Sequence, residues 1–108
     1  MNPADRSSRP ALTSKQRRHL RGLAHGLAAA VHVGKQGFTA AVRSQLDTAL
    51  EDHELIKVRL DAERSERSTI ATMLMDASGA EHVGSIGRVV ILYRRSADAE
   101  RRSIVLPA

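Results

Sequence analysis

Residues 28–42 read AAAVHVGKQGFTAAV. A short β-branched run, Val31-His32-Val33, leads into Gly34-Lys35-Gln36-Gly37. The chain then resumes at Thr39, a residue suited to cap a helix that carries Val42, Leu46, Ala49 and Leu50 at i, i+4, i+7 and i+8. Strand, glycine-bracketed loop and helix follow one another within a few residues. This alternation is the mark of an α/β chain, and the rest of the sequence extends it in both directions.

Upstream, Thr13 and Gln16 have the T-x-x-Q spacing of a capping box. Leu20, Leu23, Ala24 and Leu27 follow as one apolar stripe, so a first helix is predicted to end near Gly26. Lys15, Arg18 and Arg21 fall on its opposite side and Arg17 on its flank, with no acid among them. A helix face that is merely solvated mixes signs to gain i,i+4 pairs, so four unopposed cations point to a binding face. Downstream, the second helix is expected to end at Glu51-Asp52-His53-Glu54, read as solvated charges. Leu55–Leu60 alternates as a half-buried strand, with Ile56, Val58 and Leu60 inward and Lys57 and Arg59 outward. A third helix is predicted over Glu66–Ser78, with Ile70, Met73, Leu74 and Ala77 on one face and Gly79 just past its end. Strands at Glu81–Ile86 and Val89–Tyr93 flank a turn at Gly87, and the unbroken apolar run of the last suits a central strand. Ser103–Leu106 is expected to add an edge strand. The order α-β-α-β-α-β-β predicts an α/β fold of two layers, helices covering a mixed four-stranded sheet.

Composition narrows the function. The chain has 108 residues, enough for one domain, with a net charge of +5 and no cysteine, which excludes disulfides, thiolate metal sites and a cysteine nucleophile. No apolar run approaches the roughly 20 residues that span a bilayer. The first residues lack a secretory h-region, and a cytoplasmic location is expected. Residues 1–40 carry seven Lys/Arg against one acid, residues 41–80 five against eight, and residues 81–108 five against three. Polarised charge of this kind suits a surface that meets a polyanion. Residues 1–11 read as a flexible arm in which Arg6 and Arg9 could also reach a polyanion. Phe38 and Tyr93 are the only aromatics. Base-stacking sheets need several, so any grip on nucleic acid should be through phosphate, sugar or shape.

The loop before the second helix has the chemistry for such a grip. Its glycines allow positive φ and close backbone approach, the following helix start presents unpartnered amides, and Lys35 adds a full charge. GxxG loops clamp nucleic-acid backbones in KH modules, although an isolated GxxG is more often only a turn. The GxxxxGK[ST] and GxGxxG patterns are both absent. His19, His25, His32, His53 and His82 have no metal-ligand spacing and are read as surface or RNA-adjacent side chains, and no serine sits in a GxSxG elbow. No cofactor is called for, and an enzyme is the least expected class.

Four ordered blocks, LTSKQRRHLRGLAH, VHVGKQGFT, HELIKVRL and IGRVVILYRR, resemble the CRM domain family (chloroplast RNA splicing and ribosome maturation) in its single-domain bacterial, YhbY-like form. The resemblance spans about residues 12–95 and leaves residues 96–108 as a less specific tail. It implies a fold similar to the C-terminal domain of translation initiation factor three. It also implies RNA binding, with ribosomal RNA in precursors of the large subunit as the expected partner. By position, it assigns the loop to Gly34, Lys35, Gln36 and Gly37, and the flanking basic surface to Lys15, Arg17, Arg18 and Arg21. Arg88, beside the Gly87 turn, is included with less weight. A protein-interaction adaptor docked on the ribosome is the alternative, and a DNA-binding regulator a weaker one, since strands separate the helices and no helix-turn-helix pair forms.

Overall fold

The computed structural model describes residues 11–108, so the arm expected over residues 1–11 lies outside the described residues but for Ala11. Three helices and four strands alternate: α1 (Ser14–Ala24), β1 (Ala29–Val33), α2 (Ala40–His53), β2 (Leu55–Leu60), α3 (Arg64–Ser78), β3 (Glu81–Ile86) and β4 (Val89–Tyr93), then a short 3-10 turn at Ala99–Arg101. The local signals act as the sequence predicts. Thr13 and Gln16 form a reciprocal capping box, Thr39 accepts from the Val42 amide, and Gly79 ends α3 in the left-handed region at φ 75°.

The sheet is mixed, in the order β1-β2-β4-β3. β1 runs parallel to β2, with Val33 opposite Leu60. β2 and β4 are antiparallel, from Leu55 opposite Tyr93 to Arg59 opposite Val89, and β3 and β4 form a hairpin through Gly87. The layering differs from the expected two. The central strands are apolar on both faces, since Leu55 and Ile56 are both buried, as are Ile91 and Leu92. Each face therefore needs its own cover. α2 and α3 close one side over Leu46, Leu50, Ile56, Leu74 and Leu92. α1 closes the other with Leu20 and Ala24 against Leu55, Val83, Ile91 and Tyr93. The sheet is thus the middle of three layers. Each large side chain so buried contributes about 1.5–3 kcal/mol.

Three further details depart from expectation. Leu23 and Leu27 remain exposed, at 45% and 43%, because α1 stops at Ala24 and only its Leu20–Ala24 line meets the sheet. In α3 the packed line runs through Ile70, Leu74 and Ser78 with Ala71 and Met75, and Met73 is exposed. Ser103–Leu106 forms no strand. Ile104 and Leu106 pack instead on the α1 side of the sheet.

Glu54 is the largest correction, because it is buried, not solvated. It turns the chain from α2 into β2 at φ 62°, ψ −45°, a conformation that costs a side-chain-bearing residue of order 1–3 kcal/mol. Hydrogen bonds hold it there. Its amide donates to Leu50 O, and its carbonyl accepts from Arg94 N. Its carboxylate accepts from the amides of Ser96 (2.7 Å), Ser103 (2.9 Å) and Ile104 (3.3 Å). One buried carboxylate thereby folds the tail back onto the sheet. Glu54→Ala, which strands these amides, should lower stability by about 2 kcal/mol or more in chemical denaturation and speed hydrogen exchange at the Ser96 and Ser103 amides.

Candidate nucleic-acid interface

Val33 ends β1 and releases the chain into the Gly34–Gly37 turn, closed by the Gly37 amide donating to Gly34 O at 3.0 Å. Gly34, Lys35 and Gln36 are exposed. The two glycines differ physically. Gly37 has φ 77°, which favours glycine. Gly34 has no such backbone demand, and a Cβ built on it would meet nothing within 4 Å. The fold accounts for Gly37 and makes no use of the missing side chain at Gly34.

The sheet register decides what surrounds the loop. Asp61 N donates to Val33 O at 2.9 Å, and Leu60 N donates to Arg88 O at 2.7 Å. The start of the loop, the end of β2 and the hairpin turn therefore share one end of the sheet. Asp61 is the hub there. Its carboxylate lies 3.1 Å from His32 Nε2, 3.5 Å from Arg88 and 3.9 Å from Arg59. The His32 hydrogen bond, aided by the charges of His32, Arg59 and Arg88, holds the Asp61 pKa below its ordinary 3.8. The cations are exposed and Asp61 is only half-buried, so the cluster adds little stability and mainly orients its cations. Lys35 has no ion pair among the described residues.

Of the residues singled out in the sequence, Gly34, Lys35, Gln36, Gly37 and Arg88 are brought to this end. Lys15, Arg17, Arg18 and Arg21 are not, for α1 crosses the opposite face of the sheet toward β3. Arg21 donates to Val83 O at 3.2 Å and lies so close over Gly84 that a Cβ there would meet its Cδ at 2.9 Å. Arg21 is thus partly structural. Three strand spacings, about 14 Å, separate β3 from β1. Lys15 and Arg18 remain exposed on α1, and Arg17 is half-buried. A ligand touching both the loop and α1 must be an extended one.

Sequence reasoning passed over Arg59, Asp61 and His32 as a site. Strand alternation marks Arg59 as outward and His32 nearly adjoins the loop in the chain, but only the pairing of β1 with β2 brings Arg59 and Asp61 beside it. The remaining histidines are dispersed. His19 and His53 line an apolar cleft with Leu23, Leu27 and Val105, His25 caps α1, and His82 Nε2 lies 3.0 Å from Ser85 Oγ. Among the described residues, no three metal-capable side chains cluster, and no helix is long and apolar enough to cross a membrane.

Fold and loop together define a mixed α/β module with an open GxxG turn between a strand and a helix. The CRS1/YhbY (CRM) domain model matches residues 12–94, and the chain belongs to this family. Relatives carry RNA binding in their names. A Haemophilus influenzae "RNA-binding protein" is 38% identical over 90 residues, covering 82% of this chain and 91% of its own. The "Probable RNA-binding protein YqeI" of Bacillus subtilis is 38% identical over 97 residues, covering 89% and 99%. The solution structure of a Staphylococcus aureus protein, described as a candidate RNA binder, superposes with a TM-score of 0.75 at 35% identity, covering 89% of this chain and 99% of that one.

Partial burial, and then the charge of Arg17, lower the His82 pKa from its usual 6.5. The unfolded chain therefore binds this proton more tightly, and His82 makes stability fall as the pH drops from 6.5 through its folded pKa. An NMR titration should place the His82 midpoint below 6.5, and Arg17→Gln should move it upward.

Proposed function

We propose that this protein is a non-enzymatic RNA-binding factor that grips the RNA backbone with the Gly34–Gly37 loop. The observation that carries the reading is the unused space at Gly34. A turn needing glycine only for its backbone angles would need Gly37 alone. Open backbone at Gly34, a Lys35 without an ion pair among the described residues and the start of α2 together suit a phosphate brought close to the main chain. Arg59 and Arg88 stand ready beside it, loosely held by Asp61. Both aromatics are committed elsewhere, Tyr93 to the core and Phe38 packed against it, which agrees with a grip on phosphate and sugar instead of stacked bases.

The names of the relatives support RNA as the ligand. Ribosomal RNA in precursors of the large subunit is the target that the family resemblance favours, with Lys15, Arg17 and Arg18 as outlying contacts for a strand that runs on past the loop. A second reading, an adaptor that docks on ribosomal protein, draws on the apolar cleft formed by Leu23, Leu27 and Val105. It predicts ribosome association that survives nuclease treatment.

Replacing Lys35 and Gln36 by aspartates should leave the thermal melt unchanged and abolish binding to ribosomal RNA fragments. Wild-type affinity should fall steeply with salt, with a log–log slope of about −0.7 per phosphate contacted on single strands. Undiminished RNA binding by the double variant would rule out the loop mechanism.

A further inference from the structure

A second basic feature lies beyond the loop. Between α3 and the β3–β4 hairpin runs a groove of about 840 Å³. Its floor includes the buried or half-buried Leu60, Met75 and Val90, and its rim carries Arg64, Arg67 and Arg88. Among the described residues, no carboxylate lines it. Among the described residues, neither Arg64 nor Arg67 makes an ion pair, even though Glu63 just before α3 and Glu66 in its first turn flank them. Two arginines left without acids beside an apolar floor do nothing evident for the fold. They suit a ligand with both negative charge and a flat, weakly polar part. An unpaired nucleotide has both, and a guanidinium plane can stack on a base where no aromatic is present. The volume falls within the range of small-ligand pockets.

Position ties the groove to the loop. Arg88 lines the groove and also reaches Asp61, whose amide is bonded to Val33, the residue before Gly34. β1 and β4 are two strand spacings apart, about 10 Å. A backbone held at the loop can thus continue over Arg88 into the groove.

We propose that the groove between α3 and the β3–β4 hairpin is a second RNA subsite, which takes an unpaired nucleotide of the strand held at the Gly34–Gly37 loop and sets its neighbouring phosphates on Arg64 and Arg67. The proposal rests on the RNA-binding reading above and adds that the bound RNA is single-stranded at this point. His82 and Ser85 stand at the groove wall as hydrogen-bonding groups for the base.

The test uses the full chain and a labelled oligouridine of about twelve nucleotides, within the site sizes of single-strand binders. Arg64→Glu/Arg67→Glu should melt as wild type and bind at least ten-fold more weakly. The milder Arg64→Gln/Arg67→Gln should reduce the salt slope by about 1.4, for two lost phosphates. Adding oligouridine to the wild type should shift the amide signals of Ser68, Thr72 and Ser85. Arg95→Glu/Arg101→Glu, at the other end of the sheet, should cost less than three-fold. Equal losses from the two reversals would mean a diffuse charge effect and overturn the proposal. So would wild-type affinity in the groove variants while the Lys35/Gln36 variant fails, a result that leaves RNA binding at the loop intact. If the wild type binds neither oligouridine nor ribosomal RNA fragments, the RNA-binding reading itself falls.

Discussion

The antiparallel pairing of β2 with β4 is the interaction on which the rest of the molecule depends. Both strands carry buried residues on both faces, so together they divide the interior into two cores and require helices on either side. Their register also fixes the chemistry at one end. With Arg59 opposite Val89, the next pair is Leu60 and Arg88, which leaves Arg88 one residue from Asp61 and within 3.5 Å of its carboxylate. The parallel pairing of β1 with β2 then brings the Gly34 loop to the same place. Core packing and site assembly are consequences of the same ladder.

The two ends of that sheet are built in opposite ways. At one end, Glu54 is buried, strained and fully engaged, and Arg94 reaches Asp47 and the carbonyl of Ser78. Charges there are consumed by the fold, where satisfying them prevents a large desolvation cost. At the other end, Asp61, Arg59, Arg88 and Lys35 lie in water, where ion pairs are weak and easily exchanged. Arg59 and Arg88 can leave a weak, solvated pairing with Asp61 for a phosphate at small cost. The distinction between structural and available charge is thus one of burial, not of residue type.

Much of this was readable in the chain. Capping signals, glycine punctuation and strand alternation act over a few residues, so Thr13, Thr39 and Gly79 behave in the structure as their local sequence implies. The GKQG loop was equally plain. What local pattern could not convey was which charges are free. Glu54 sits in an acidic run that looks like a solvated helix end, yet it is the most enclosed carboxylate of the described residues. Arg64 and Arg67 lie in a segment whose acids outnumber its bases, so the balance along the chain masked a groove that no acid among the described residues lines. Leu23 and Leu27 keep the helical period of Leu20, but Leu23 lies off the Leu20–Ala24 line that meets the sheet and Leu27 lies past the end of α1.

By itself the sequence determined the order of elements, the mixed α/β class, the family and the loop, because each rests on spacings within a helix turn, a strand or a contiguous motif. Tertiary structure alone decided the third layer, the burial of Glu54, the separation of α1's cations from the loop, and the gathering of Arg59, Asp61 and Arg88 around it. Those depend on strand order and register, which join residues far apart in the chain. A one-residue slip of β2 against its neighbours would turn Arg59 inward and disperse the cluster without altering a single local signal.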